Sequence, residues 1–268
     1  MSVSPVNHII RWEAGRCREA SDELAEEEPL EIRARGRAVS VTMRTPGNDA
    51  ELAAGFLLTE GIISRSADVL KIEPCGRNEF GNVVNVLLAA EVAVDFDRLT
   101  RHVFASSSCG LCGKATIDAI RTQFPRLPVP SAPLIGPELI STLPDIMRKA
   151  QSAFDRTGGL HAAGIFDDRG KLLVLHEDIG RHNAVDKVLG HALLNDLLPL
   201  DHHVLLVSGR ASFEIMQKSL AGGVPIVASV SAPSNLAVSF AMDSGQTLIG
   251  FLRGDRMNIY SVPERVGA

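Results

Sequence analysis

Beyond Gly158 short apolar runs alternate with helical patterns, and this alternation limits what the chain can fold into more than any other feature. Apolar runs at 160–166, 172–176, 204–207, 226–229, 248–252 and 258–261 predict strands, and patterns at 183–198, 213–221 and 236–243 predict helices. Short strands without polar alternation need cover on both faces. The expected fold class is therefore α/β: a layered mixed sheet, parallel over much of its width, with helices on both faces. Ligands of such sheets lie at the carboxyl ends of the strands.

The first half is less regular. Residues 1–30, which include Glu26, Glu27 and Glu28, show no sustained period and predict a loose leading segment. RAVSVTMR (37–44) alternates like a half-buried strand and stops at Thr45-Pro46-Gly47. A helix should follow, capped by Asn48 or Asp49, with Leu52, Ala53, Phe56 and Leu57 as its apolar stripe. Strands are expected at 71–73 and 83–94, a short helix at 115–123, and a helix over 137–157. Pro125, Pro128, Pro130 and Pro133 stiffen a connector between the halves. The expected division is a smaller N-terminal α+β part (1–105), a loop and connector (106–134), and the α/β domain (135–268).

A net charge of -5 argues against a partner that is nucleic acid or an anionic membrane. No apolar run is long enough to cross a bilayer, and no secretory leader pattern opens the sequence, so cytoplasmic location is expected. Four cysteines make no disulfide scaffold in a chain of 268 residues. Cys17 lies in the leading segment between two arginines, and Cys75 falls at a turn; isolated cysteines of this kind are ordinarily incidental.

Cys109 and Cys112 differ, because SSSCGLCGK (106–114) presents them in a run of small, turn-forming residues. Three chemistries use such a pair. A thioredoxin-like redox pair normally opens a helix directly after a strand, whereas a serine run precedes this one. A zinc site needs two further ligands, which neither the other cysteines nor the histidines supply at zinc-finger spacing, so no metal site is expected. A sulfur carrier needs an exposed thiolate, an adjacent thiol and local positive charge such as Lys114. The residues alone leave carrier and redox pair open.

Three segments downstream suit anions. Ser208, Gly209 and Arg210 follow a strand and precede a helix, where free backbone amides gather. Residues 176–183 crowd His176, Glu177, Asp178, Arg181, His182 and Asn183 around Gly180. Phe251, Leu252, Arg253, Gly254, Asp255 and Arg256 set two arginines about a glycine turn. Together they suggest a ligand with several phosphates.

GLHAAG (159–164), EDIGRHNAVDKVLG (177–190), SGRASFEIMQK (208–218), SAPSNLA (231–237) and GFLRGDRMNIY (250–260), with SSSCGLCG before them, resemble the FdhD family of formate dehydrogenase accessory sulfurtransferases. The resemblance implies a cytidine deaminase-like large domain and a homodimer. It also implies sulfur taken from a cysteine desulfurase onto the CxxC loop and delivered to the molybdenum or tungsten bis-guanine-dinucleotide cofactor that formate dehydrogenase uses. That cofactor is a substrate; none is expected to be tightly bound, and GDP or GMP would be surrogate ligands. Cys109 is then the persulfide cysteine with Cys112 assisting, and residues 251–256 match the family's cofactor-binding stretch, to which Ser208, Gly209, Arg210, Arg181 and His182 are added as candidates. Deamination is excluded by residues: His161 is followed by Ala162 and Ala163 where zinc deaminases need His-x-Glu, and no cysteine follows Cys112. Two alternatives stand beside the sulfurtransferase, a cofactor-binding chaperone without sulfur transfer and a CxxC thiol-disulfide oxidoreductase.

Overall fold

The computed structural model describes residues 3–75, 81–96, 123–132 and 134–267. The Cys109–Cys112 pair and residues 115–122 of the helix expected at 115–123 lie outside them.

The larger sheet has six strands: β7 (His161–Phe166), β8 (Leu172–Asp178), β9 (Val204–Val207), β10 (Ile226–Ser229), β11 (Thr247–Arg253) and β12 (Arg256–Ser261), in the order β12-β11-β10-β9-β7-β8. Only β9, β10 and β11 run parallel; β7 is antiparallel to β8 and β9, and β12 to β11. The sheet is therefore mixed, as expected, with its parallel part confined to β9, β10 and β11. Tight turns join β7 to β8 and β11 to β12, and such hairpins can only return antiparallel.

Both faces are covered, which explains the unbroken apolar runs. Leu205, Val207, Val227 and Leu248 point into a core with α4 (Arg181–Leu194), α5 (Phe213–Ala221) and α6 (Asn235–Ser244). Val204, Leu206, Ile226, Ala228 and Ile249 point the other way, against Ile140, Leu143 and Met147 of α2 (Pro137–Ala150). The single helix expected over 137–157 is two. The backbone leaves helical geometry at Gln151, and α3 (Ser152–Thr157) starts afresh. The buried Glu177 carboxylate accepts from the Ala153 and Phe154 amides, capping α3 from outside the helix.

The N-terminal part is a second sheet, β4-β3-β6-β5, built from β3 (Glu28–Ala34), β4 (Arg37–Arg44), β5 (Val69–Pro74) and β6 (Val83–Leu88). The strand expected to reach residue 94 ends at Leu88, where Val92 N donates to Ala89 O in a turn. Helix α1 (Asp49–Thr59) covers this sheet. Neither expected cap forms: Asn48 makes no side-chain cap, and Asp49 pairs with Arg44 through two hydrogen bonds of 2.9 and 3.0 Å.

Residues 3–30 are not loose. β1 (Val3–Glu13) and β2 (Arg16–Ala25) form an antiparallel hairpin, and β3 begins at Glu28. Its turn is Ala14-Gly15, both with positive φ, the geometry that matches strand twist. Its backbone ladder runs from Val3–Ala25 to Glu13–Arg16, and the exposed ion pairs Arg18–Glu13 and Arg11–Asp22 cross it, so the strands pair without an apolar period.

The two sheets share one apolar core through α1 and α4, which cross at Gly55 and Gly190. A Cβ on Gly190 would lie 1.8 Å from Glu51 O, and one on Gly55 would lie 1.8 Å from Asp186 O. Only glycine permits so close a backbone approach.

Candidate functional site

The carboxyl ends of β9, β10 and β11 open on a cavity of about 670 Å³, within the range of small-molecule sites. Its walls come from α2 (Met147, Arg148), α3 (Phe154), the segment Gly158–His161 entering β7, Ser208 after β9, Val230 after β10, and Leu252, Arg253 and Gly254 at the end of β11.

Each wall is held by local chemistry. Ser208 N donates to Ala162 O at 2.9 Å and Ser208 Oγ accepts from Ala162 N at 2.8 Å, a double clamp between the β9 exit and β7. Gly209 is buried against His161 and Arg181, where a Cβ would lie 3.2 Å from His161 Nδ1 and 3.6 Å from Arg181 Cδ. Ser229 Oγ donates to Gly209 O at 2.7 Å and accepts from Ser231 N at 3.0 Å, tying the loops after β9 and β10 together. Phe251 adopts φ 54° at a break in the β11–β12 register while its amide donates to Ser231 O at 3.0 Å; Leu252 turns inward and Arg253 Nε donates to Val230 O at 3.1 Å. One guanidinium donor thus fixes Arg253 at the rim and leaves the others for a ligand.

His161 is held below its ordinary pKa, first by burial and then by Arg181 and His182. It therefore meets a ligand as a neutral imidazole. Arg181 Nε is buried with no hydrogen-bond partner among the described residues, and such a donor is costly unless a ligand completes it.

The structure gathers some of the expected residues and not others. Ser208, Leu252, Arg253 and Gly254 line the cavity; Gly209 and Arg181 stand directly behind His161. His182 turns toward α5, 2.8 Å from Glu214 and 3.4 Å from Ser212 Oγ, and its hydrogen bond is the main cause that lowers the Glu214 pKa. Arg210, Phe251, Asp255 and Arg256 are exposed and off the cavity wall. Arg148, stacked over the Phe154 ring at 4.8 Å, was not expected. Its only sequence signal was a basic residue in the last turn of an amphipathic helix. Asp178 is a brace: it accepts from Thr45 N, Gly180 N and Asn183 Nδ2 and pairs with Lys187.

The chain is 50% identical over 272 residues to the sulfur carrier protein FdhD of Streptomyces coelicolor, covering 98% of this chain and 96% of that one. It is 49% identical over 273 residues to the protein of the same name from Mycolicibacterium paratuberculosis, covering 100% of both. A crystal structure of a candidate formate dehydrogenase accessory protein from Desulfotalea psychrophila superposes with a TM-score of 0.77 at 25% identity, over 97% of each chain. The FdhD/NarQ family model matches residues 25–267, and the chain belongs to that family.

Proposed function

We propose that this chain is a sulfurtransferase of formate dehydrogenase maturation. It accepts sulfur from a cysteine desulfurase as a persulfide on Cys109 and passes it to a molybdenum or tungsten bis-guanine-dinucleotide cofactor, its substrate. The observation that carries the reading is near full-length similarity, at 50% and 49% identity, to proteins named sulfur carriers. The SSSCGLCGK segment and a cavity rimmed by Arg253, Arg148 and neutral His161 are compatible with it.

In the first step the Cys109 thiolate attacks the outer sulfur of the desulfurase persulfide; that S–S bond breaks, and the desulfurase cysteine leaves as its thiolate. In the second, the Cys112 thiolate attacks Cys109 Sγ. A Cys109–Cys112 disulfide forms and hydrosulfide departs to the metal with the electron pair of the broken bond. A cellular dithiol then reduces the disulfide. Arg253 and Arg181 neutralise ligand phosphates, and the reaction belongs to the cytoplasm, where thiols stay reduced. The protein acts as a homodimer in this reading.

Incubation with a cysteine desulfurase and cysteine, followed by peptide mass spectrometry, should find one added sulfur on Cys109. Absence of added sulfur from both Cys109 and Cys112 would overturn the proposal. Full activation of formate dehydrogenase by a Cys109→Ala/Cys112→Ala variant would favour a cofactor chaperone instead.

A further inference from the structure

A second group of ligating side chains lies on the α4 side of the six-stranded sheet, away from α2 and the cavity. Glu51 from the first turn of α1, His176 from β8 and His191 from the last turn of α4 each bring one donor atom within 4.8 Å of the other two. The two rings meet edge to face, with centroids 6.1 Å apart and planes at 67°.

Three features separate this group from a chance meeting of polar side chains. First, His176 is only 8% exposed and its Nε2 has no hydrogen-bond partner among the described residues. A buried ring nitrogen left unpaired is costly unless something absent completes it. Second, no side-chain hydrogen bond or ion pair commits the Glu51 carboxylate or the His191 ring to another described residue. Third, the spacing is built into the backbone. Gly190 packs directly on Glu51, where its Cβ would be 1.8 Å from Glu51 O, so the helix crossing itself sets His191 beside the α1 carboxylate.

We infer that Glu51, His176 and His191 form a binding site for a divalent transition-metal ion of the zinc class that clamps α1 of the N-terminal sheet to β8 and α4 of the larger one. Two imidazoles and one carboxylate suit zinc, and soft thiolates are not needed. Tetrahedral ligands at bonds of about 2.0–2.1 Å lie about 3.3 Å apart, so metal binding requires the donors to close by rotation of the half-buried Glu51 and His191 side chains. Solvent reaches the group from their side, leaving the fourth position for water. The clamp is independent of the sulfur-transfer reading.

Zinc added to the full-length chain, stripped of metal and carrying Cys17→Ser, Cys75→Ser, Cys109→Ser and Cys112→Ser so that thiolates do not compete, should bind at one ion per chain and raise the melting temperature. Cobalt at the same site should give a visible spectrum without thiolate charge-transfer bands. Glu51→Gln and His191→Ala each remove an accessible ligand and should weaken zinc binding at least about tenfold, while His202→Ala, an exposed histidine elsewhere, should not change it. Less than stoichiometric binding by the parent chain, or binding unaltered by both Glu51→Gln and His191→Ala in variants whose circular dichroism matches the parent, would overturn the proposal.

Discussion

Lys187 Nζ lies 2.7 Å from Asp178 Oδ2 with both side chains sealed from water, and the same ammonium donates to Thr45 O at 2.9 Å. The pair joins the end of β8 and the body of α4 to the residue that follows β4. Asn183 Nδ2 donates to Met43 O at 2.7 Å and Ile179 N to Thr45 Oγ1 at 3.0 Å beside it. This polar seam sets where α4 begins, and with it the position of Arg181 behind the cavity. Removing one partner leaves an uncompensated buried charge. Lys187→Met should cost about 3–5 kcal/mol in urea unfolding, with loss of nucleotide affinity in whatever fraction stays folded.

The α1–α4 crossing predicts a second, steric effect. Gly190→Ala places a methyl group against Glu51 O, a backbone atom that cannot swing aside. The helices must part, at about 3 kcal/mol or more by overpacking, measurable as a lower denaturation midpoint. Gly254→Ala at the exposed β11–β12 turn meets nothing within 4 Å and pays only for its positive φ, so it should cost about 1 kcal/mol.

Stability should fall in acid because of His176. Burial is the main cause holding its pKa at about 4 against an ordinary 6.5, with Lys187 and His191 adding to it and Glu51 opposing. Below pH 6.5 the unfolded chain takes up a proton that the folded ring refuses. The folded state therefore loses ground as pH drops from about 6.5 to about 4, and gains nothing further above that window. In metal-free protein, His176→Gln should flatten the slope of unfolding free energy against pH over this interval; an unchanged slope would assign the acid sensitivity elsewhere.

Guanine nucleotide binding should depend on the rim more than on the exposed arginines. Arg253→Ala is expected to weaken GDP affinity about tenfold, the worth of a charge-assisted hydrogen bond or two. Arg256→Ala, exposed and off the cavity wall, should change it by less than about twofold. Titration calorimetry with the two variants ranks them directly, and a larger loss from Arg256→Ala would place the phosphates outside the cavity.

Local order was legible without coordinates wherever one interaction dominates. The apolar runs of β9 and β10 and the stripe of α5 name their own elements, because strands buried on both faces must be apolar throughout and a helix buried on one face must be apolar along it. The SSSCGLCGK pair and the order of the motifs identified the family from the sequence alone. The β1–β2 hairpin was hidden because its strands pair through their backbones without an apolar period to mark them, and the break at Gln151 was hidden because the Ala153 amide after it is capped by Glu177, 24 positions away in the chain. Among the anion-site residues, sequence placed Ser208 and Arg253 on loops at strand ends. It could not say that His182 would turn to Glu214, that Arg148 would join the rim, or that Glu51 would meet His176 and His191. Those outcomes depend on which backbones pack in contact, as at Gly55 and Gly190, and contact between distant segments is decided only when the whole chain has folded.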